Sequence, residues 1–136
     1  MTPTGIVNKM YEKDWFSQWL GIRIEYVQEG QVKLSMKIRE EMLNGFGIVH
    51  GGVTFSFADS ALAFASNSQG RHAVSIETSI SHTEPLYTGD EIFAVAKEES
   101  LSNKIGLYSI DVTKSDGTKV AIFKGTVYRT SKTWEE

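Results

Sequence analysis

Residues 50–67, HGGVTFSFADSALAFASN, constrain this chain more than any other stretch. From Val53 to Ala65 only Thr54, Ser56, Asp59 and Ser60 are polar, and the apolar residues fall on all sides of a 3.6-residue period. Such a pattern predicts a helix buried on every side, so the rest of the chain has to wrap it. Its single carboxylate, Asp59, then needs a reason. An ionised group taken out of water is costly, or its pKa rises, unless it is paired, hydrogen-bonded or used.

The flanking sequence supplies the wrapping. IRIEYV and VKLSMKI alternate apolar and polar residues around the turn QEGQ, which predicts a hairpin with one buried face. REEMLNGFGIV has no clean period and two glycines, and reads as a loop delivering the chain to the central helix. Beyond Gly70, AVSIETSIS, EIFAVAKEES, IGLYSIDVTKS and KVAIFKGTVYRT return to a period of two. They are broken at Glu84–Asp90, at Leu101–Lys104 and at Asp116-Gly117, the last a strong hairpin signal. Ahead of all this, residues 5–20 place Ile6, Met10, Phe16, Trp19 and Leu20 near helical spacing and stop at Gly21, which predicts one amphipathic helix. Strands do not alternate with helices as a parallel sheet requires. The fold class is therefore α+β: an antiparallel sheet curled around one apolar helix, with an extra N-terminal helix.

With 136 residues the chain fits a single domain over 1–136. A net charge of −3 argues against general nucleic-acid binding, which needs a concentrated basic face. The absence of cysteine excludes disulfides, thiolate metal sites and cysteine nucleophiles. His72 and His82 have no acidic neighbours at ligand spacing, so no metal site is expected and both read as structural or exposed. No apolar stretch is long enough to span a membrane, and the first 21 residues lack the apolar run of a signal peptide, so the cytoplasm is the expected location.

The segment MLNGFGIVHGGVTFSFADSALAFASNS resembles the hotdog-fold acyl-CoA thioesterases, most closely the phenylacetate-degradation type, and the resemblance runs from about Trp19 to Arg129. It implies a hotdog fold, an acyl-CoA substrate, no cofactor, and dimers with a continuous sheet that pair further into tetramers. It also implies roles for individual residues. Asp59, in ADSA, matches the catalytic carboxylate; His50 and Gly51 match the His-Gly at the helix start, where a backbone N–H polarises the thioester carbonyl. Asn44 matches an Asn that positions water and thioester, and Ser75 falls near a hydroxyl that orients water in some members. For the phosphates of a CoA substrate, Lys104 in the break LSNK is the first candidate among the strand and turn cations. Phe46, Ile48, Phe55 and Phe57 read most simply as core residues, with Phe46 and Phe55 the candidates for lining an acyl slot.

Thioester hydrolysis needs a base or nucleophile on one side of the carbonyl carbon and hydrogen-bond donors on its oxygen. Asp59 suits either first role, direct attack or activation of water, and the residues do not choose between them. Gly51 and Asp59 are eight residues apart, about 12 Å along one helix, so one carbonyl cannot touch both. A second copy has to bring its helix start to this Asp, giving a homodimer with shared sites. Two rivals remain open: a hotdog dehydratase acting on 3-hydroxyacyl thioesters, and a non-catalytic acyl-CoA-binding module.

Overall fold

The computed structural model describes residues 1–135. Two short helices, α1 (Pro3–Glu12) and α2 (Trp15–Leu20), precede the hairpin of β1 (Arg23–Gln28) and β2 (Gln31–Lys37). The central helix α3 (Gly51–Asn67) follows, then β3 (Arg71–His82), β4 (Glu91–Leu101), β5 (Ile105–Lys114) and β6 (Lys119–Thr133). The six strands form one sheet in the order β1-β2-β4-β5-β6-β3, with every neighbouring pair antiparallel. This is the hotdog arrangement of the α+β class: the sheet curls around α3, which packs on all strands from β2 to β6.

Strand alternation builds the core. In β5, Gly106, Tyr108, Ile110 and Val112 face inward, and Leu34, Met36, Ala94, Ala96, Ala121, Phe123 and Val127 do so from β2, β4 and β6. They meet Phe57, Leu62 and Phe64 of α3, all fully buried. Each such side chain contributes about 1.5–3 kcal/mol of transfer free energy. Ala94 and Ala96 let the helix approach β4, and Gly125 does so on β6. A Cβ at Gly125 would stand 2.5 Å from Leu62 Cδ2 and 3.2 Å from its Cγ.

Two expectations are corrected. The N-terminal helix is not continuous over 5–20: it breaks at Lys13-Asp14, because the Asp14 carboxylate accepts the Ser17 N–H at 2.9 Å and caps a new helix. Gly21 ends that second helix in the left-handed region, φ 80°. Nor is α3 covered on every side. Phe55, Ser56, Asp59, Ser60 and Ala63 form a half-exposed stripe, and beside it the edge strand β3 leaves Val74 and Ile76 at 56% and 58% exposure. Among the described residues no helix is long and apolar enough to cross a membrane.

Candidate active site

Asp59 sits in the middle of that stripe, half-buried. Burial holds its carboxyl above the usual Asp range, and among the described residues no charge or hydrogen bond offsets the shift. The side chain borders two clefts. One, of about 270 Å3, runs toward the sheet edge and is lined by Leu62, Ala73, Val74, Ser75 and Val127. The other, of about 200 Å3, lies between α3 and α2, with Phe16, Ser17, Phe55, Ser56 and Ser60 on its walls. Ser75 and Phe55 are thus both brought to Asp59, on opposite sides.

The helix start forms a separate cleft of about 400 Å3, lined by Asn44, Ile48, Gly51, His82, Glu84 and Pro85. His50 is the N-cap, and its Nδ1 accepts the Gly52 N–H at 2.9 Å while its carbonyl accepts the Val53 N–H at 2.9 Å. Those bonds occupy the next two amides and leave the Gly51 N–H, at the mouth of the cleft, without an acceptor among the described residues. A first-turn amide at the positive end of a 17-residue helix is a suitable donor to a developing oxyanion. Asn44 is fixed beside it. Its Oδ1 accepts the N–H of Phe46 at 2.9 Å and that of Ile48 at 3.4 Å, pinning a tight loop closed by a Leu43–Val49 bridge.

Phe46, at the tip of that loop, is 90% exposed, so the reading of it as a core residue is corrected. Phe57 is buried, and Phe55 packs edge-on against Phe123 with centroids 5.3 Å apart. Lys104 is exposed at the β4–β5 turn, outside the clefts of Asp59 and Gly51. Its carbonyl accepts the Arg129 N–H at 2.7 Å, and Arg71 binds neighbouring Asn103, so three cations share this corner.

His82, read from the sequence as structural or exposed, is exposed at the end of β3 and lines the helix-start cleft. Its ring lies over Gly51, where a Cβ would meet Cε1 at 3.3 Å, and its Nε2 is 2.6 Å from the Thr54 hydroxyl. No local signal marks it; it arrives there because β3 runs back along α3, from Ser75 beside Asp59 to His82 beside Gly51. A groove of about 440 Å3 on the outer sheet face, between Glu77, Leu107, Ser109 and Lys124, lies away from all these groups. Among the described residues no cluster of three or more His, Cys, Asp or Glu is placed to hold a metal ion.

Comparison with known proteins places this chain among relatives. The family profile described as "Thioesterase superfamily" matches residues 46–121. A putative esterase of Archaeoglobus fulgidus is 42% identical over 123 residues, covering 90% of this chain and 80% of its own. The acyl-coenzyme A thioesterase PaaI of Escherichia coli is 38% identical over 120 residues, covering 88% and 86%. The solved structure of E. coli PaaI, from the phenylacetic acid degradation operon, superposes with a TM-score of 0.94 over 96% of this chain and 95% of that one, at 35% identity.

Proposed function

Because this chain belongs to the thioesterase superfamily, and is thereby a thioester hydrolase, we propose that it cleaves an acyl-CoA whose acyl group is aryl, such as phenylacetyl, or of medium length. The observation that carries the reading is Asp59: a half-buried carboxylate with no structural partner among the described residues, at the meeting of two clefts. In this role Asp59 either attacks the carbonyl carbon, expelling CoA thiolate and leaving an anhydride that water then hydrolyses, or takes a proton from water as the water attacks and the C–S bond breaks to release CoA thiolate, while Gly51 N–H holds the oxygen as it gains charge. His50 keeps that amide at the helix start, Asn44 orients water and thioester, and Ser75 binds water on the Asp59 side. Phe55 lines the acyl slot. Phe46 projects from the loop beside the helix-start cleft, and Lys104 with Arg71 and Arg129 suits the phosphates of the CoA nucleotide.

The site is shared between two copies. In one chain Gly51 and Asp59 open into different clefts, and α3 separates them by about 12 Å. The 12-residue edge strand β3 is long and exposes Val74 and Ile76, and an open edge of this kind pairs with another strand unless covered. If two copies of β3 pair antiparallel about a two-fold axis, Ser75 of one lies toward His82 of the other. That brings Asp59 to Gly51 of the partner subunit, twice per dimer. Two such dimers joined make the proposed tetramer.

The test is thiol release across a panel of acyl-CoAs, with 3-hydroxyacyl-CoA assayed in parallel for enoyl product. Asp59→Asn should lower kcat at least about 100-fold in a protein that still folds. A native-like variant with unchanged turnover would remove Asp59 from the reaction. Binding of acyl-CoA without thiol release by the wild type would make the chain a binding module, and enoyl product would make it a dehydratase.

A further inference from the structure

We infer that α2 is one wall of the acyl pocket and that Phe16 on it selects the acyl group, an inference that rests on the thioesterase reading above. The reacting carbon has to lie at Asp59, so its two substituents leave in different directions. The sulfur carries a long tether that has to reach solvent and the cations beyond. The acyl group needs a short cleft closed by protein. Of the two clefts at Asp59, the one toward β3 lies on the side where the second copy docks. The other ends against this chain's own α2. Its volume of about 200 Å3 is of ring size, with Phe16, Phe55 and Ala63 giving apolar wall and Asp14, Ser17, Ser56 and Ser60 polar wall.

Both long walls of that cleft carry a phenyl ring. Phe55 is held by its edge contact with Phe123. Phe16 is 54% exposed yet braced: it stacks on Trp19 with centroids 6.0 Å apart, and the Arg39 guanidinium covers Trp19 at 5.1 Å from its ring. The same guanidinium donates to the Trp19 and Leu20 carbonyls at 2.7 and 3.0 Å, closing the end of the helix. An aromatic ring kept half in water by this much support is set to meet a ligand rather than the core.

A hydrogen-bond chain fixes the wall to the catalytic helix. Ser17 Oγ donates to Asp14 Oδ2 at 2.6 Å, which spends its only proton, so the Ser60 hydroxyl donates to Ser17 Oγ at 2.8 Å. Ser17 is buried and Ser60 is the residue after Asp59. The position of Phe16 is therefore set one residue from the reacting carboxylate, by a short helix rather than by the sheet.

The experiment measures kcat/KM for phenylacetyl-, hexanoyl- and acetyl-CoA in wild type, Phe16→Ala, Phe16→Leu and Trp15→Ala. Trp15 is on the same helix, 73% exposed, and is not on the cleft wall. Phe16→Ala should lower the phenylacetyl-to-acetyl ratio about 10-fold or more. Phe16→Leu, which keeps apolar bulk and is safe for folding, should lower the phenylacetyl-to-hexanoyl ratio, and Trp15→Ala should leave both ratios as in wild type. Equal losses on all three substrates, unmoved ratios, or a Trp15→Ala shift as large as that of Phe16→Ala would overturn the inference while leaving the thioesterase reading intact. A wild type inactive on every thioester would overturn both, and that result is read from the wild type alone.

Discussion

Two inactivated variants, mixed, decide whether each site draws on two chains. Asp59→Asn removes the carboxylate charge and leaves shape nearly unchanged. Gly51→Val blocks the helix start: the backbone there has no left-handed φ to forbid a side chain, but the new Cβ lies 3.3 Å from His82 Cε1 and its methyls occupy the cleft. On the proposed roles each variant alone should retain about 1% of wild-type turnover or less, since blocking access to an oxyanion donor, or losing the carboxylate that serves as base or nucleophile, costs about 100-fold or more. The two positions are eight residues apart on α3, about 12 Å, too far for one carbonyl. In a mixed dimer one site carries both lesions and the other neither. Random one-to-one exchange makes about half the dimers mixed, each with one good site of two, so activity should rise to about a quarter of wild type if sites act independently. The assay is thiol release after co-refolding, with differently tagged chains proving exchange. Proven exchange with no recovery would refute the shared site, since lesions that share a chain and a site cannot complement.

Gly125→Ala should cost about 1–3 kcal/mol, because the added methyl meets the buried Leu62 side chain at 2.5 Å. Denaturant unfolding checks it, and the double variant with Leu62→Ala should lose less than the sum of the single losses. For Asp59 the raised folded pKa means that the folded state holds the proton more tightly than the unfolded chain. The stabilisation is full below the ordinary Asp range and is lost as pH rises through the raised folded value. Asp59→Asn should therefore be more stable than wild type at neutral pH, by an amount that shrinks on acidification. Over the same interval wild-type kcat/KM should fall on acidification with a midpoint above the ordinary Asp range; parallel urea titrations and rate profiles across pH test both, and a flat rate would argue against an ionised carboxylate.

The strands were legible because their apolar residues recur with a period of two, which in β4 and β5 marks one dry face, and the breaks at Gly89, Asp116-Gly117 and QEGQ carry their own turn chemistry. The break at Lys13-Asp14 was not, since an Asp inside a run of helical spacing looks the same whether it faces water or caps a new helix. Periodicity read α3 as buried throughout, yet it reports only that residues are apolar, not that each is covered. Phe55 and Ala63 are half-exposed, on the wall of the cleft beside Asp59. At the site, Asp59 stood out by its own chemistry, and Gly51 by its place before an apolar helix. Asn44 and Ser75 stood out only through resemblance. His82 was invisible because its meeting with Gly51 depends on which strand flanks α3, a pairing decided by β6 far along the chain.

That pairing also dictates a timetable for synthesis. Among the described residues β3 has one partner strand, β6, with Arg71 opposite Thr133 and His82 opposite Ala121. While residues 83–118 emerge from the ribosome, β3 has no partner strand of its own and the apolar α3 lacks the wall that Phe123 and Val127 provide. Long-range pairing of this kind is slow and leaves sticky surface in the open. The sheet of the nascent chain therefore lacks its β3 edge until β6 arrives, however much of the rest has been made.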